Sequence, residues 1–116
     1  FDYRCIIVLM IQVLLELDEQ KRLLFFEAAG HAYCGLKGHD IVCAAVTILI
    51  RTTVQALGSI HAEAHAEQRG RFTFHVVQYD EKDAEQLRYA AQFLWLGMTS
   101  LQEEYPKAIQ CKQIQR

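Results

Sequence analysis

The sequence predicts an α+β fold: a single domain of order ββαββαβ, with a mixed or antiparallel sheet and two helices packed on one face. Three observations carry this expectation. Two apolar runs near the start, Arg4 to Leu15 and Arg22 to Ala29, flank the polar turn Asp18-Glu19-Gln20-Lys21. Two longer stretches, Ile41 to Leu57 and Asp80 to Glu104, repeat apolar residues three and four apart. Short alternating stretches stand between the helices and at the end of the chain. A length of 116 residues supports one core, so residues 1–116 are read as one domain.

Each element has its own justification. Arg4 to Leu15 is almost without polar interruption and reads as a central strand buried on both faces. Arg22 to Ala29 reads as its hairpin partner, ended by Gly30. Asp40 is a good N-cap for the helix from Ile41 to Leu57, and Gly58 is the expected stop. The first half of that helix is apolar nearly all round, which predicts deep burial. Ile60 to Glu67 alternates alanine or isoleucine with His61, Glu63, His65 and Glu67. Phe72 to Val77 alternates with Phe72, Phe74 and Val76 on one face, and Gln68-Arg69-Gly70 supplies the hairpin turn. The second helix carries Ala84, Leu87, Ala91, Leu94, Met98, Leu101 and Tyr105 in one stripe. Asp80 and Asp83 cap its start, Pro106 ends it, and Lys107 to Ile114 reads as a final edge strand.

Composition excludes several function classes. Hydrophobic residues make up 52% and charged residues 22%, as in ordinary globular domains. A formal net charge of −2 leaves no basic stripe to neutralise phosphates, so direct nucleic-acid binding is not expected. The longest apolar run, Cys5 to Ile11, is too short to span a bilayer, and no small-residue signal-peptide cleavage site is present. The four cysteines show no CxxC spacing. Reduced thiols and a cytoplasmic setting are therefore expected, with no metal and no cofactor.

The chemistry concentrates between Gly30 and Ala45. This stretch joins a strand to a helix and holds His31, Tyr33, Cys34, Gly35, Gly38, His39, Asp40 and Cys43. If Asp40 caps the helix, Cys43 lies in its first turn, where free amides and the helix dipole favour a thiolate. An imidazole nearby would lower the thiol pKa further and carry a proton to a leaving amine. His31 closes the strand before the loop, so the loop can fold back and bring the imidazole to the thiol. Asp40 could orient that imidazole, but capping competes for the same carboxylate. Gly35 and Gly38 allow the loop to move or to approach a ligand closely. Backbone amides near Cys43 could form an oxyanion hole.

Rival sites are weaker. His31, Cys34, His39 and Cys43 are zinc-ligand types, but their spacing is not that of a common finger. His61, Glu63 and His65 share a strand face, which alternation with alanine explains as a solvent face. Phe72, Phe74 and Trp95 lack the basic surroundings of a base-stacking platform, which leaves core or dimer interface. Cys111, like Cys5, sits in a run where a thiol acts as a small buried hydrophobe.

The run Gly30-His31-Ala32, then Gly38, then Asp40-Ile41-Val42-Cys43-Ala44-Ala45 resembles the signature of the ribosomal-processing cysteine protease family, Prp. Glu103-Glu104-Tyr105-Pro106 and the order of elements resemble it too. The resemblance implies that His31 and Cys43 are catalytic and that Asp40 is the nearby acid. Tyr33, Cys34, Gly35 and Gly38 would then form a substrate loop. It further implies a homodimeric cysteine endopeptidase that removes a short N-terminal extension, cutting after a Phe. The implied substrate is a large-subunit ribosomal protein, and the removal supports ribosome assembly. Tyr33 stands where the family commonly has Gly, and Cys34 and His39 are additions to its pattern. Thr47, one turn after Cys43, stands where some relatives have Ser. The alternative is a non-catalytic module that grips a ribosomal protein through the same loop.

Overall fold

The structure is a computed structural model that describes residues 10–30, 39–66 and 70–116, without the side chains of His39 and Asp40. In chain order it forms β1 (Ile11–Leu17), β2 (Leu23–Ala29), α1 (His39–Ala56), β3 (His61–His65) and β4 (Arg71–Gln78). A short 3-10 turn (Glu81–Asp83) leads into α2 (Ala84–Glu104), and β5 (Ile109–Gln115) ends the chain. The ββαββαβ order is as expected. The sheet runs β3-β4-β2-β1-β5 and is antiparallel except for the parallel β1–β5 pair.

The β1–β2 hairpin is held by its turn. Asp18 Oδ1 accepts the amides of Gln20 and Arg22 at 2.9 and 3.0 Å. Its Oδ2 accepts Arg22 Nε at 2.6 Å and the Tyr79 hydroxyl at 3.2 Å. The Arg22 guanidinium lies 4.8 Å from the Tyr79 ring centroid. One carboxylate thus fixes both the hairpin turn and the far end of β4.

The core lies between the sheet and the helices. Ile11, Val13, Leu15 and Leu17 of β1 are buried, whereas Gln12 is exposed and Leu14 and Glu16 are half-buried. This corrects the expectation of a strand buried on both faces. The helices cover one face, and an antiparallel sheet can leave the other to solvent. The first part of the expected strand, residues 4–9, lies outside the described residues. Phe26 is fully buried and stacks on Phe74 with ring centroids 5.2 Å apart. Removing a side chain of this size from water contributes roughly 1.5–3 kcal/mol.

The predicted stripe of α2 is the buried one: Ala84, Leu87, Ala91, Leu94 and Met98, with Leu101 and Tyr105 half-buried. Before it, the Asp80 amide donates to Asp83 Oδ2 at 3.0 Å, so both aspartates serve the helix start as expected. The helix α1 buries Val42, Val46 and Thr53 in the same core, and Leu57 just after it is buried there too. It runs antiparallel to α2: Leu49 faces Gly97, and Ala56 O accepts Gln86 Nε2 at 2.6 Å. Deep burial of the first half of α1 is not found, because Ile41 and Ile48 are 59% and 55% exposed. Their side of the helix points away from both sheet and α2. Gly58 follows α1, but its φ is not in the left-handed region; its amide reaches Gln55 O at 3.2 Å in a tightened last turn.

The strand β3 spans less than the predicted alternation and forms one edge, with its histidines and Glu63 exposed. The strand β5 forms the other edge, as expected. In the hairpin turn between β3 and β4, residues 67–69 lie outside the described residues, and Gly70 has φ 78°.

Candidate active site

The topology gathers seven element ends at one pole of the sheet. These are the starts of β1, β4 and β5, the ends of β2 and β3, the start of α1 and, because α2 is antiparallel to α1, the end of α2. Cys43 sits at this pole.

The position of Cys43 follows from its helix. Val42 is fully buried and Val46 is 5% exposed, so α1 is anchored to the core on either side of Cys43. The Cys43 side chain packs against that core while remaining partly exposed, and it is a free thiol. A reactive cysteine needs both a fixed backbone and access for a substrate, and this position supplies the two together. The Cys43 carbonyl accepts the Thr47 hydroxyl at 2.8 Å.

The helix start is not where the sequence reading places it. Helical structure is already present at His39, so Asp40 lies within the helix and is not its N-cap. Cys43 is the fifth residue of α1 as described, and its amide belongs to the i→i−4 ladder. Amides without an intrahelical acceptor, which an oxyanion hole would need, lie N-terminal to it.

His31, Tyr33, Cys34, Gly35 and Gly38 lie outside the described residues, as does the side chain of Asp40. The zinc reading of His31, Cys34, His39 and Cys43 falls largely on the same stretch. Among the described residues, no group of three or more His, Cys, Asp or Glu converges on a possible metal position. His61, Glu63 and His65 are exposed, and His65 Nε2 lies 3.7 Å from Glu63 Oε2.

Cys111 provides the contrast. It is half-buried on β5, and burial pushes its thiol up to about 11, far from the range of a nucleophile at neutral pH. Its expected role as a small buried hydrophobe is the one observed. Phe74 is in the core, and Phe72 and Trp95 pack against it partly buried, which is the core placement expected of them.

The sequence reading missed the surroundings of Gly30. Its φ is 112°, its amide donates to Gly70 O at 2.8 Å, and the Met10 carbonyl oxygen lies 2.5 Å from where a Cβ would stand. A glycine directly before the candidate histidine was the available signal. A groove of about 610 Å³ between the helices, lined by Thr52, Ala56, Gln86, Tyr89 and Phe93, was also not foreseen. It lies toward the pole opposite Cys43, and by position it serves no step at the thiol.

Among the described residues, no helix is long and apolar enough to cross a membrane. Comparison with solved structures finds SMU.848 from Streptococcus mutans at 29% identity and a TM-score of 0.76, covering 92% of this chain and 96% of that one. The essential ribosomal processing protease Prp from S. aureus, solved with a substrate peptide, is 22% identical with a TM-score of 0.76. That match covers 90% of this chain and 99% of the other. The same protease with a covalently linked product peptide is 23% identical over the same shares, with a TM-score of 0.74. These likenesses establish the fold. No curated protein matches the sequence. The sequence model of the cysteine protease Prp family matches residues 10–110, which include both Gly30-His31 and Cys43. The chain belongs to the cysteine protease Prp family.

Proposed function

We propose that Cys43 is the nucleophile and His31 the acid–base of this cysteine protease, with Asp40 orienting His31. The observation that carries the reading is the half-exposed Cys43 thiol on a helix anchored by Val42 and Val46, within the matched family region. With its proton passed to His31, the Cys43 sulfur attacks the scissile carbonyl carbon, and the carbonyl oxygen takes the displaced electron pair. His31 donates a proton to the departing amine as the carbon–nitrogen bond breaks, leaving a thioester on Cys43. Water then attacks the thioester, His31 takes the water proton, and the Cys43 thiolate leaves. Tyr33, Cys34, Gly35 and Gly38 form the loop that contacts the substrate.

The substrate we infer is a large-subunit ribosomal protein carrying a short N-terminal extension, cut in the cytoplasm during ribosome assembly. It is supported by a similar fold that binds a substrate peptide in the S. aureus ribosomal processing protease. The working form is a homodimer, supported by large apolar side chains that the helical layer leaves exposed among the described residues. Tyr89, Phe93 and Leu96 of α2 and Ile41 and Ile48 of α1 are exposed there.

The test is the intact mass of such a ribosomal protein after incubation with this chain. The wild-type protein is expected to shorten it by its N-terminal extension. Cys43→Ala and His31→Ala are expected to leave it whole while keeping the fold. Full cleavage by either variant would sink the assignment.

A further inference from the structure

The geometry points to the outer edge of β3 as the strand on which the substrate polypeptide docks: its N-terminal extension lies parallel to β3, bonded to the backbone of Ala62 and Ala64, and its last residue before the cut reaches Cys43. This rests on the reading of Cys43 as the nucleophile.

Two placements bring β3 and the thiol together. The helix α2 packs on β1, β2 and β5, so α1 takes the half of the sheet formed by β4 and β3. Leu49 turns one flank of α1 to Gly97 of α2. Cys43, Ile50 and Val54 follow at spacings of seven and four residues, which sets them together on the other flank, the one above β3. All three are half-buried and pack on the core. The strand β3 ends at the pole of Cys43, and its helix-side face carries Ala62, half-buried, and Ala64, exposed. A shelf floored by two alanines and flanked by Ile50 and Val54 therefore leads up to the thiol.

The backbone of that shelf is free to pair. The Gly30 amide donates to Gly70 O at 2.8 Å, and the register carries this phase along β4: Phe72 and Phe74 bond toward β2. Thr73 and His75 then bond toward β3, at His65 and Glu63. The amides and carbonyls of Ala62 and Ala64 point outward. The other edge of the sheet is partly closed. The Ile11 amide donates to Ala108 O and the Arg116 amide to Leu17 O, so Cys111 and Gln113 point outward on β5. There the Cys111 amide donates to Gln102 Oε1 at 2.6 Å. Among the described residues no side chain does the same for Ala62 or Ala64. An open edge is a template for an added strand, and a protease has a use for one.

The shelf also sets direction and preference. A folded body cannot pair with a strand edge, whereas a loose extension can. The extension ends at the scissile bond, so it runs toward the Cys43 pole, as β3 does. Its side chains alternate. One set enters the shelf, where the alanines leave room for apolar groups. The other set stands beside Glu63 and His65, whose side chains are 59% and 53% exposed, and a basic residue complements Glu63. The five residues of β3 thus select apolar residues at alternate positions, with basic ones between.

Peptides of about ten residues, with Leu and Lys alternating before a Phe at the cut, test this. Ala64→Pro removes one outward donor and leaves the β3–β4 ladder intact, and proline is tolerated on edge strands. It is expected to lower kcat/KM by about tenfold, chiefly through KM, because bonds to the extension hold ground state and transition state alike. Alkylation of Cys43 by iodoacetamide should keep its wild-type rate. Gln113→Pro makes the same change on the edge of β5 and should leave kcat/KM within about twofold. With the wild-type enzyme, N-methylation of every second residue of the extension should cost about tenfold in one phase and little in the other.

An unchanged kcat/KM in a folded Ala64→Pro protein would overturn the inference. If that variant does not fold, N-methylation without alternation overturns it equally. A loss confined to Gln113→Pro would place the substrate on β5 and overturn it too. Cleavage that needs Cys43 but ignores Ala64→Pro would refute the docking alone. Cys43→Ala cleaving at the wild-type rate would refute the nucleophile and the inference with it.

Discussion

The Thr47 hydroxyl donates to the backbone carbonyl of Cys43 at 2.8 Å, so its proton is committed to the helix. This i→i−4 back-bond is a common local arrangement for threonine in a helix. Thr47 is exposed and is read as a local helix contact with no part in the chemistry. Thr47→Val is expected to change stability by less than about 0.5 kcal/mol. It should leave kcat within about threefold of wild type, because no transition-state contact is removed. Steady-state cleavage of a peptide substrate, with a parallel thermal melt, checks both.

Asp18 makes stability depend on acid. Burial alone would raise its carboxyl pKa, but the amides of Arg22 and Gln20 and the Arg22 guanidinium together outweigh that and hold it below its ordinary value. A carboxylate with a depressed folded pKa contributes stability that is complete above its unfolded value, about 3.9. That contribution is lost as pH falls through the folded value. Asp18→Asn is expected to cost about 1–3 kcal/mol at pH ~7 and to flatten the fall in stability below pH ~4. Urea melts from neutral pH down to about pH 2 would show it; an equal acid slope in both proteins would contradict it.

The outward stripe of the helical layer should mediate dimerisation. Leu96 and Tyr89 are 68% and 71% exposed, and Phe93 lies between them along one side of α2. A carboxylate in the middle of such a stripe would be buried without a partner in a dimer. Leu96→Glu is expected to weaken self-association by at least about 2 kcal/mol, roughly thirtyfold, while leaving the monomer melt nearly unchanged. Sedimentation equilibrium measures the shift, and a wild-type protein that stays monomeric would end the proposal.

Much of the fold was legible in the sequence because local patterns decided it. The stripe Ala84-Leu87-Ala91-Leu94-Met98 has one way to be buried, and the polar turn after Leu17 forces a hairpin. What escaped is set by tertiary arrangement. The continuous apolar run in β1 does not reveal that one sheet face lacks a helical cover. The exposure of Ile41 and Ile48 depends on which side of α1 meets α2. The start of α1 before Asp40 was missed because a good capping residue is also compatible with the first helical turn. At the candidate site, the place of Cys43 on a helix near its start was legible from the apolar spacing. The Gly30–Met10 approach was not, because Met10 and Gly30 are brought together only by the pairing of β1 with β2.

Cys43 alone of the described cysteines is expected to be the reacting thiol, and covalent labelling tests this most directly. A peptide chloromethyl ketone ending in Phe would be incubated with the protein at neutral pH and the adduct located by tandem mass spectrometry. Modification is expected on Cys43, abolished by Cys43→Ala and strongly slowed by His31→Ala, with Cys111 untouched because burial pushes its thiol up to about 11. Labelling of Cys111 at a comparable rate, or an unmodified Cys43 in an actively cleaving enzyme, would contradict it.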